Sequence, residues 1–170
     1  RQKDIVQIKR TVHSMDEKAF MVVVDANTVL GGGMSSKLFV QIREAQSLCY
    51  YASSSIDKYK GIMLIDAGIE FDKYQVALDG ILQQLDLCKK GSISSDELEA
   101  ARRYLLSSLR AAQDSPGRMD DFAVGQACGG LNGTMEDLSR AISEVTLSDA
   151  VDAANTLTLD TVYFLKGVEK

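Results

Sequence analysis

One segment, residues 72–90, constrains the fold most, because its apolar residues recur every three or four positions. This spacing places them on one side of an α-helix, and that side has to pack against a core. Lys89 and Lys90 suit the negative end of the helix dipole, and Gly91 supplies a C-terminal stop. The stripe consists of Tyr74, Ala77, Leu78, Ile81, Leu82, Leu85 and Cys88.

A second long helix is predicted to follow directly. Ser94 and Glu97 have the spacing of a capping box, in which each side chain bonds the other residue's backbone N–H. The segment 114–117, which holds the chain's one proline, Pro116, is expected to end this helix. The apolar residues predicted to face inward are Leu98, Ala101, Leu105, Leu109 and Ala112.

Shorter patterns complete the prediction. Strands are expected at 4–12, 48–56, 61–69 and 158–167, with a hairpin turn at 57–60. Further helices are expected at 16–30, 35–47, 119–129, 135–144 and 147–155. The resulting order, β-α-α-β-β-α-α-α-α-α-β, lacks the regular alternation of a parallel sheet. We therefore predict an α+β fold, a mostly antiparallel sheet of about four strands with the two long helices packed on one face.

Composition excludes several classes of protein. With 45% hydrophobic and 25% charged residues, the chain is neither disordered nor collagen-like nor a disulfide scaffold. Its apolar runs are far shorter than the ~20 residues of a membrane span. The net charge of −5 and the lack of a basic stretch argue against a nucleic-acid partner. Residues 1–170 are expected to form a single domain, and the first residue, Arg1, suggests a fragment of a longer protein.

The residues available for chemistry are few. His13 is the single histidine, so motifs that need two, such as H-x-x-E-H, are absent. It is expected to be a surface or partly buried residue. Cys49, Cys88 and Cys128 are widely spaced and form no C-x-x-C pair, which excludes a zinc ribbon and suits a reducing compartment.

Two further clusters do not support enzymatic sites. Gly31–Gly33 follows a predicted helix and lacks G-x-x-x-x-G-K-[ST], so a close approach of backbones is favoured over phosphate binding. Ser53, Ser54 and Ser55 have no G-x-S-x-G context and no histidine within plausible reach. These serines are expected to alternate across a half-buried strand.

Residues 30–56 carry the most specific pattern in the chain: L-G-G-G at a helix end, then S-x-L-F, R-E and an aromatic-led strand. The matching residues are Leu30, Gly31, Gly32, Gly33, Ser36, Lys37, Leu38, Phe39, Arg43, Glu44, Leu48 and Tyr50. A hairpin ending in Ala67-Gly68-Ile69 and the helix opening at residues 94–98 fit as well. The chain resembles the pitrilysin and mitochondrial-processing-peptidase family of inverzincin metallopeptidases, over about residues 7–168. It is most similar to the second, zinc-free type of domain in bacterial cytoplasmic members.

This resemblance implies a metallopeptidase-like (LuxS/processing-peptidase-like) domain, one of several related α+β domains that close in two halves around an extended peptide. One domain of such a protein carries H-x-x-E-H and zinc, and the companion domains have lost it. The implied role here is that of a non-catalytic companion domain, with zinc bound not by this chain but by a catalytic domain of the same protein or by a paralogous subunit. A peptide substrate and a cytoplasmic location are implied with it.

The resemblance also implies a substrate-binding or oxyanion role for Arg43 and Tyr50, which are seven residues apart. No catalytic residue and no metal ligand is expected in this chain alone. A guanidinium is a permanent fork of donors and a phenol donates at neutral pH, so both suit an oxyanion. The residues alone leave open that Arg43 pairs with a carboxylate on the helix surface and that Tyr50 belongs to the core.

Two other functions remain open, a proteolytically inactive scaffold or assembly subunit with the same fold and an unrelated α+β interaction module. The opening strand also departs from the family pattern, because Gln7-Ile8-Lys9 is followed by Arg10 where an apolar residue is common. We therefore expect this strand, an edge strand that often binds substrate backbone in the family, to be incomplete.

Overall fold

The computed structural model describes residues 4–9, 24, 26–57, 61–130 and 132–165, and for 4–9 and 129 only the backbone. The elements, in chain order, are β1 Asp4–Lys9, α1 Thr28–Gly32, α2 Leu38–Ala45, β2 Cys49–Asp57, β3 Ile62–Ile69, α3 Tyr74–Lys89, α4 Ser95–Gln113, α5 Pro116–Gly129, α6 Met135–Glu144, α7 Leu147–Asn155 and β4 Thr158–Tyr163. Helices α1 and α2 are of the wide π type, and a 3₁₀ turn leads into α3. This order confirms the predicted α+β fold.

The sheet has four strands in the order β2-β3-β1-β4, and each neighbouring pair is antiparallel. The prediction of an antiparallel sheet is confirmed, but the expectation of an edge position for the opening strand is wrong. Strand β1 lies inside the sheet, because β4, from the far end of the chain, pairs along its outer side. Residues 10–12 of the predicted strand and the turn residues 58–60 lie outside the described residues, as do 16–23 and 25 of the first predicted helix and 166–167 of the last strand.

Helix α2 is shorter than the predicted 35–47 and ends in a tight turn. Ser47 has a positive φ of 50°, a conformation that usually favours glycine. The Leu48 amide donates to the Ile42 carbonyl at 3.1 Å, which closes the helix end. The chain then passes directly into β2, so the last turn of α2 and the first residues of β2 lie side by side.

The core forms between the sheet and α3, as the stripe predicts. Ala77 and Ile81 of α3 and Ile65 of β3 are buried in one apolar cluster with Leu38 and Ile42 of α2. Helix α4 shares this cluster through Leu98 and Ala101, in agreement with the predicted packing of the two long helices, although its main neighbours are α1, α5 and α6. Of its five predicted inward residues only two are buried, Leu98 and Ala101.

The ends of the helices follow the sequence signals. Ser94 Oγ accepts from the Glu97 amide while the Glu97 carboxylate accepts from the Ser94 amide, so the predicted capping box is confirmed. Pro116 does separate two helices, but it is the first residue of α5, which therefore begins before the predicted residue 119. Proline suits this position because the first helical N–H has no partner within the helix.

A half-buried ion pair joins α4 to the segment before α2. Lys37 Nζ lies 2.8 Å from Glu97 Oε1, and Lys37 is only 8% exposed. Partial burial acts to raise the pKa of the Glu97 carboxyl, but hydrogen bonds from Lys37 and Ser94 outweigh it and lower this pKa below 4.5, its ordinary value. The folded state thus favours the charged carboxylate.

Glu97→Gln is expected to lower the free energy of unfolding at neutral pH and to make it less sensitive to acid. Because the folded pKa is lowered, the stabilisation is complete above pH 4.5 and is lost as pH falls through the folded value. Denaturant unfolding across this range, with exposed Glu136→Gln on α6 as the control, measures the difference. A gap between wild type and variant that persists in acid would contradict the prediction.

Candidate functional site

A β-bulge sets the direction of Tyr50. On β2, Cys49 is opposite Ile69 and Tyr51 is opposite Gly68, so Tyr50 is an extra residue with no partner position on β3. Such a bulge kinks the strand and turns a side chain away from the regular alternation. Tyr50 is 72% exposed, and the alternative that it belongs to the core is therefore wrong.

Gly68 provides the space that this bulge requires. A Cβ atom at this position would lie 2.5 Å from Cε1 of Tyr51, because the Tyr51 ring lies across the glycine. The close contact keeps Tyr51 over the sheet while its neighbour Tyr50 points to solvent. The predicted Ala67-Gly68-Ile69 segment is thus part of the geometry that orients the site.

Arg43, at the end of α2, reaches the same point of β2. Its Nε donates to the backbone carbonyl of Tyr50 at 2.9 Å, and its guanidinium carbon lies 4.5 Å from the ring centroid of Phe39. One carboxylate oxygen, Oε1 of Glu44, lies 3.9 Å from its Nη1. The carboxylate pairing left open by the sequence is therefore a loose one, and the backbone of Tyr50 is the close partner.

Arg43 and Tyr50 line one open groove of about 560 Å³ at the end of the sheet where β2 begins and β3 ends. Glu70, directly after β3, lies on its other side and pairs with Lys73 at 3.1 Å. The groove thus presents cationic, phenolic and anionic groups together. Its lining consists of Arg43, Glu44, Ser47, Leu48, Cys49, Tyr50 and Glu70.

The local electrostatics favour binding over nucleophilic chemistry. Burial raises the pKa of the Cys49 thiol, and the nearby charge of Arg43 opposes this only in part. A protonated thiol is a poor nucleophile. At the rim, the hydrogen bond with Glu70 and the charge of that carboxylate raise the pKa of Lys73, so this ammonium stays charged.

The sequence assigned a role to two residues of the groove, Arg43 and Tyr50, but not to Glu70, which also lines it, or to Phe39, which contacts Arg43. Phe39 stood in the motif without a role, although its distance of four positions from Arg43 on a predicted helix indicates a contact. Nothing in the sequence pointed to Glu70, because it reaches the groove only through the pairing of β3 with β2. His13 lies outside the described residues.

The glycine and serine clusters singled out in the sequence have structural roles. Gly31 packs on β2 so closely that a Cβ would lie 2.7 Å from the Ser54 amide nitrogen, which confirms the expected close approach. Ser54 is buried and donates to the Asn27 carbonyl, whereas Ser53 donates to Asp66 and Ser55 is exposed. The three serines alternate across the strand as predicted.

The described residues form neither a metal-binding cluster nor a membrane-spanning helix. In the ranges given above, no three His, Cys, Asp or Glu side chains come close enough together to hold a metal ion. The single histidine of the sequence also cannot supply a two-histidine zinc motif. None of the helices in the described part of the chain is long and apolar enough to cross a bilayer.

Comparison with known proteins places this geometry in a family. Residues 2–105 match the family model described as peptidase M16 inactive domain. The Bacillus subtilis protein named "Probable inactive metalloprotease YmfF" is 33% identical over 84% of this chain and 34% of its own length. "Uncharacterized zinc protease YmxG" of the same species is 28% identical over 77% of this chain and 32% of its own length. The chain thus spans about a third of these relatives.

Solved structures agree. A conserved protein from Enterococcus faecalis V583 has a TM-score of 0.89 at 27% identity, covering 98% of this chain and 40% of that chain. The structure titled peptidase M16 inactive domain from Pseudomonas fluorescens has a TM-score of 0.73 at 22% identity, with coverage of 91% and 37%, and shares the fold. This chain belongs to the peptidase M16 family, as an inactive domain of the pitrilysin type that the L-G-G-G and S-x-L-F pattern indicated.

Proposed function

We propose that residues 1–170 form one non-catalytic domain of a longer zinc metallopeptidase-like protein. This domain helps to enclose an extended peptide that is presented to a zinc site in another domain or subunit. The zinc-bearing partner is a catalytic domain of the same protein or a paralogous subunit. The family match and the chain's share of about a third of its relatives' length support this arrangement. With one histidine in the sequence and no group of three metal-binding side chains among the described residues, this chain does not fit the zinc site of the family, and the proposal assigns the hydrolytic chemistry to the partner.

The observation that carries the proposal is the shared groove of Arg43 and Tyr50. The guanidinium uses Nε on the Tyr50 carbonyl, so this bond does not occupy its Nη groups. Arg43 and Tyr50 both line the groove, and Tyr50 is 72% exposed. Both groups donate hydrogen bonds at neutral pH. A guanidinium held in place before the substrate arrives, with a phenol in the same groove, suits a peptide carbonyl, most of all one that gains negative charge.

A cytoplasmic location is part of the proposal. All three cysteines are free thiols in the structure, and free thiols persist in a reducing compartment. The net charge of −5 argues against a nucleic-acid partner.

A second candidate function is that of a proteolytically inactive scaffold or assembly subunit. The observation in its favour is the name of the relative YmfF, which describes an inactive metalloprotease. The two candidates differ in whether the complete protein, or a partner encoded beside it, contains H-x-x-E-H and holds zinc.

We expect this chain alone to bind no zinc tightly and to cleave no peptide, while the complete protein with its partner binds both zinc and an unfolded polypeptide. Metal analysis after dialysis measures zinc binding. Reduced, carboxymethylated α-lactalbumin then serves as the polypeptide, in a cleavage assay for hydrolysis and, labelled with fluorescein, in fluorescence polarisation for binding. Polypeptide binding without zinc or cleavage would favour the scaffold. A tight equivalent of zinc on this chain, or no polypeptide binding by the complete protein, would contradict the proposal.

A further inference from the structure

We propose that Phe39 is a positioning residue for Arg43, and that its ring and the Tyr50 carbonyl together fix the guanidinium in the orientation that meets a peptide. This inference rests on the proposed function, since it concerns the same groove. It adds a residue that itself need not touch the peptide.

Two contacts define the orientation of the guanidinium. The ring of Phe39 lies against the group, with its centroid 4.5 Å from the guanidinium carbon. The Tyr50 carbonyl takes the Nε proton at 2.9 Å. One contact restricts the tilt of the planar group and the other its rotation, so the edge that carries Nη1 and Nη2 remains for the groove.

The backbone of Phe39 is held by the packing of its helix, and Phe39 itself is half-buried. Its flanking residue Leu38 and the nearby Ile42 are completely buried, and the Phe39 amide donates to the buried hydroxyl of Ser36 at 3.4 Å. Arg43, by contrast, has a side chain that is 40% exposed. A rigid ring therefore restrains a long side chain that would otherwise sample many rotamers.

The bond from Arg43 to the Tyr50 carbonyl also links the two hydrogen-bond donors of the groove, the guanidinium and the phenol. Tyr50 is the extra residue of the bulge, and its own carbonyl is the acceptor for Arg43. A shift of the Arg43 guanidinium would therefore disturb its bond to the backbone of Tyr50, the residue that carries the phenol. Phe39, on α2, is in this way connected to the orientation of Tyr50 on β2.

The test measures affinity for fluorescein-labelled, reduced and carboxymethylated α-lactalbumin, by fluorescence polarisation, on the complete protein. Phe39→Leu is expected to weaken binding about two- to fivefold, the size of a cation–π contact at a partly exposed site. Phe39→Tyr keeps a ring and should keep the affinity. In an Arg43→Gln background, Phe39→Leu should have no further effect, because the two residues act through one group. Phe122→Leu on α5 is the matched control and should bind as wild type does.

The outcomes separate this inference from the proposed function. Loss of affinity on Arg43→Gln together with full affinity of Phe39→Leu would overturn the positioning role and leave the proposed function intact. An equal effect of Phe39→Leu in both backgrounds would also overturn it, since it would show a role independent of Arg43. Unchanged affinity on Arg43→Gln would overturn both.

Proton NMR of the wild-type protein tests the contact between Phe39 and Arg43 without depending on a Phe39 variant that folds. The Nε–H resonance of Arg43, assigned by its loss in Arg43→Gln, should exchange slowly with solvent because it is bonded to the Tyr50 carbonyl, and it should show nuclear Overhauser cross-peaks to the ring protons of Phe39. Fast exchange without such cross-peaks would contradict the proposed geometry.

Discussion

Tyr50→Phe is expected to lower the turnover of a peptide by about a hundredfold or more in the complete protein assembled with its zinc-bearing domain, while affinity changes little. The phenol is exposed at the groove and the ring does not belong to the core, so the variant removes one donor and leaves the fold unchanged. A donor that is used most strongly as charge develops on the substrate affects rate more than binding. Steady-state kinetics with kcat and KM determined separately measure the effect.

Arg43→Ala should differ from Tyr50→Phe by weakening both turnover and binding, because a guanidinium can hold the substrate backbone as well as stabilise charge. Tyr104→Phe removes a half-exposed phenol on α4, outside the groove lining, and is the matched control. Melting temperatures are recorded for all three variants. Unchanged turnover with a lowered melting temperature would leave Arg43 and Tyr50 with a structural role only.

Gly31→Ala is expected to lower the free energy of unfolding by about 2 to 3 kcal/mol. An added Cβ would lie 2.6 Å from Ser54 Oγ, 2.7 Å from the Ser54 amide nitrogen and 2.9 Å from Leu38 Cδ1. The serine hydroxyl could rotate away, but the backbone nitrogen belongs to β2 and can move only with the strand. The methyl group therefore forces α1 and β2 apart at the centre of the core.

Gly117→Ala is the matched control for this substitution. Nothing lies within 4 Å of the added Cβ, and Gly117 is in the first turn of α5. There the change should leave the free energy of unfolding unchanged or raise it by up to about 0.5 kcal/mol, because alanine restricts the unfolded chain. Denaturant titrations of both variants give the comparison. Equal stability of the two variants would show that α1 does not press on β2.

Features that depend on neighbours along the chain were predictable from the sequence. The stripe from Tyr74 to Cys88, the capping box at Ser94 and the stop at Gly91 all follow from spacings of a few residues, and all are present. The family pattern around Arg43 and Tyr50 is equally local. The predictions that needed correction concern long-range packing, namely the interior position of β1 and the burial of only two of the five predicted inward residues of α4.

The amino-acid order alone therefore determined which segments become helix or strand, the antiparallel α+β class and the residues to inspect, since these depend on local periodicity and turn chemistry. The tertiary structure decided which of two adjacent tyrosines faces the groove. The register of β2 against β3 shifts by one residue at Tyr50, and the Tyr51 ring takes the space above Gly68. The tertiary structure also brought Glu70 to the groove and the Tyr50 carbonyl to Arg43. Contacts of this kind arise only when distant segments pair, because a shift of one residue in register turns a side chain to the opposite face of a sheet.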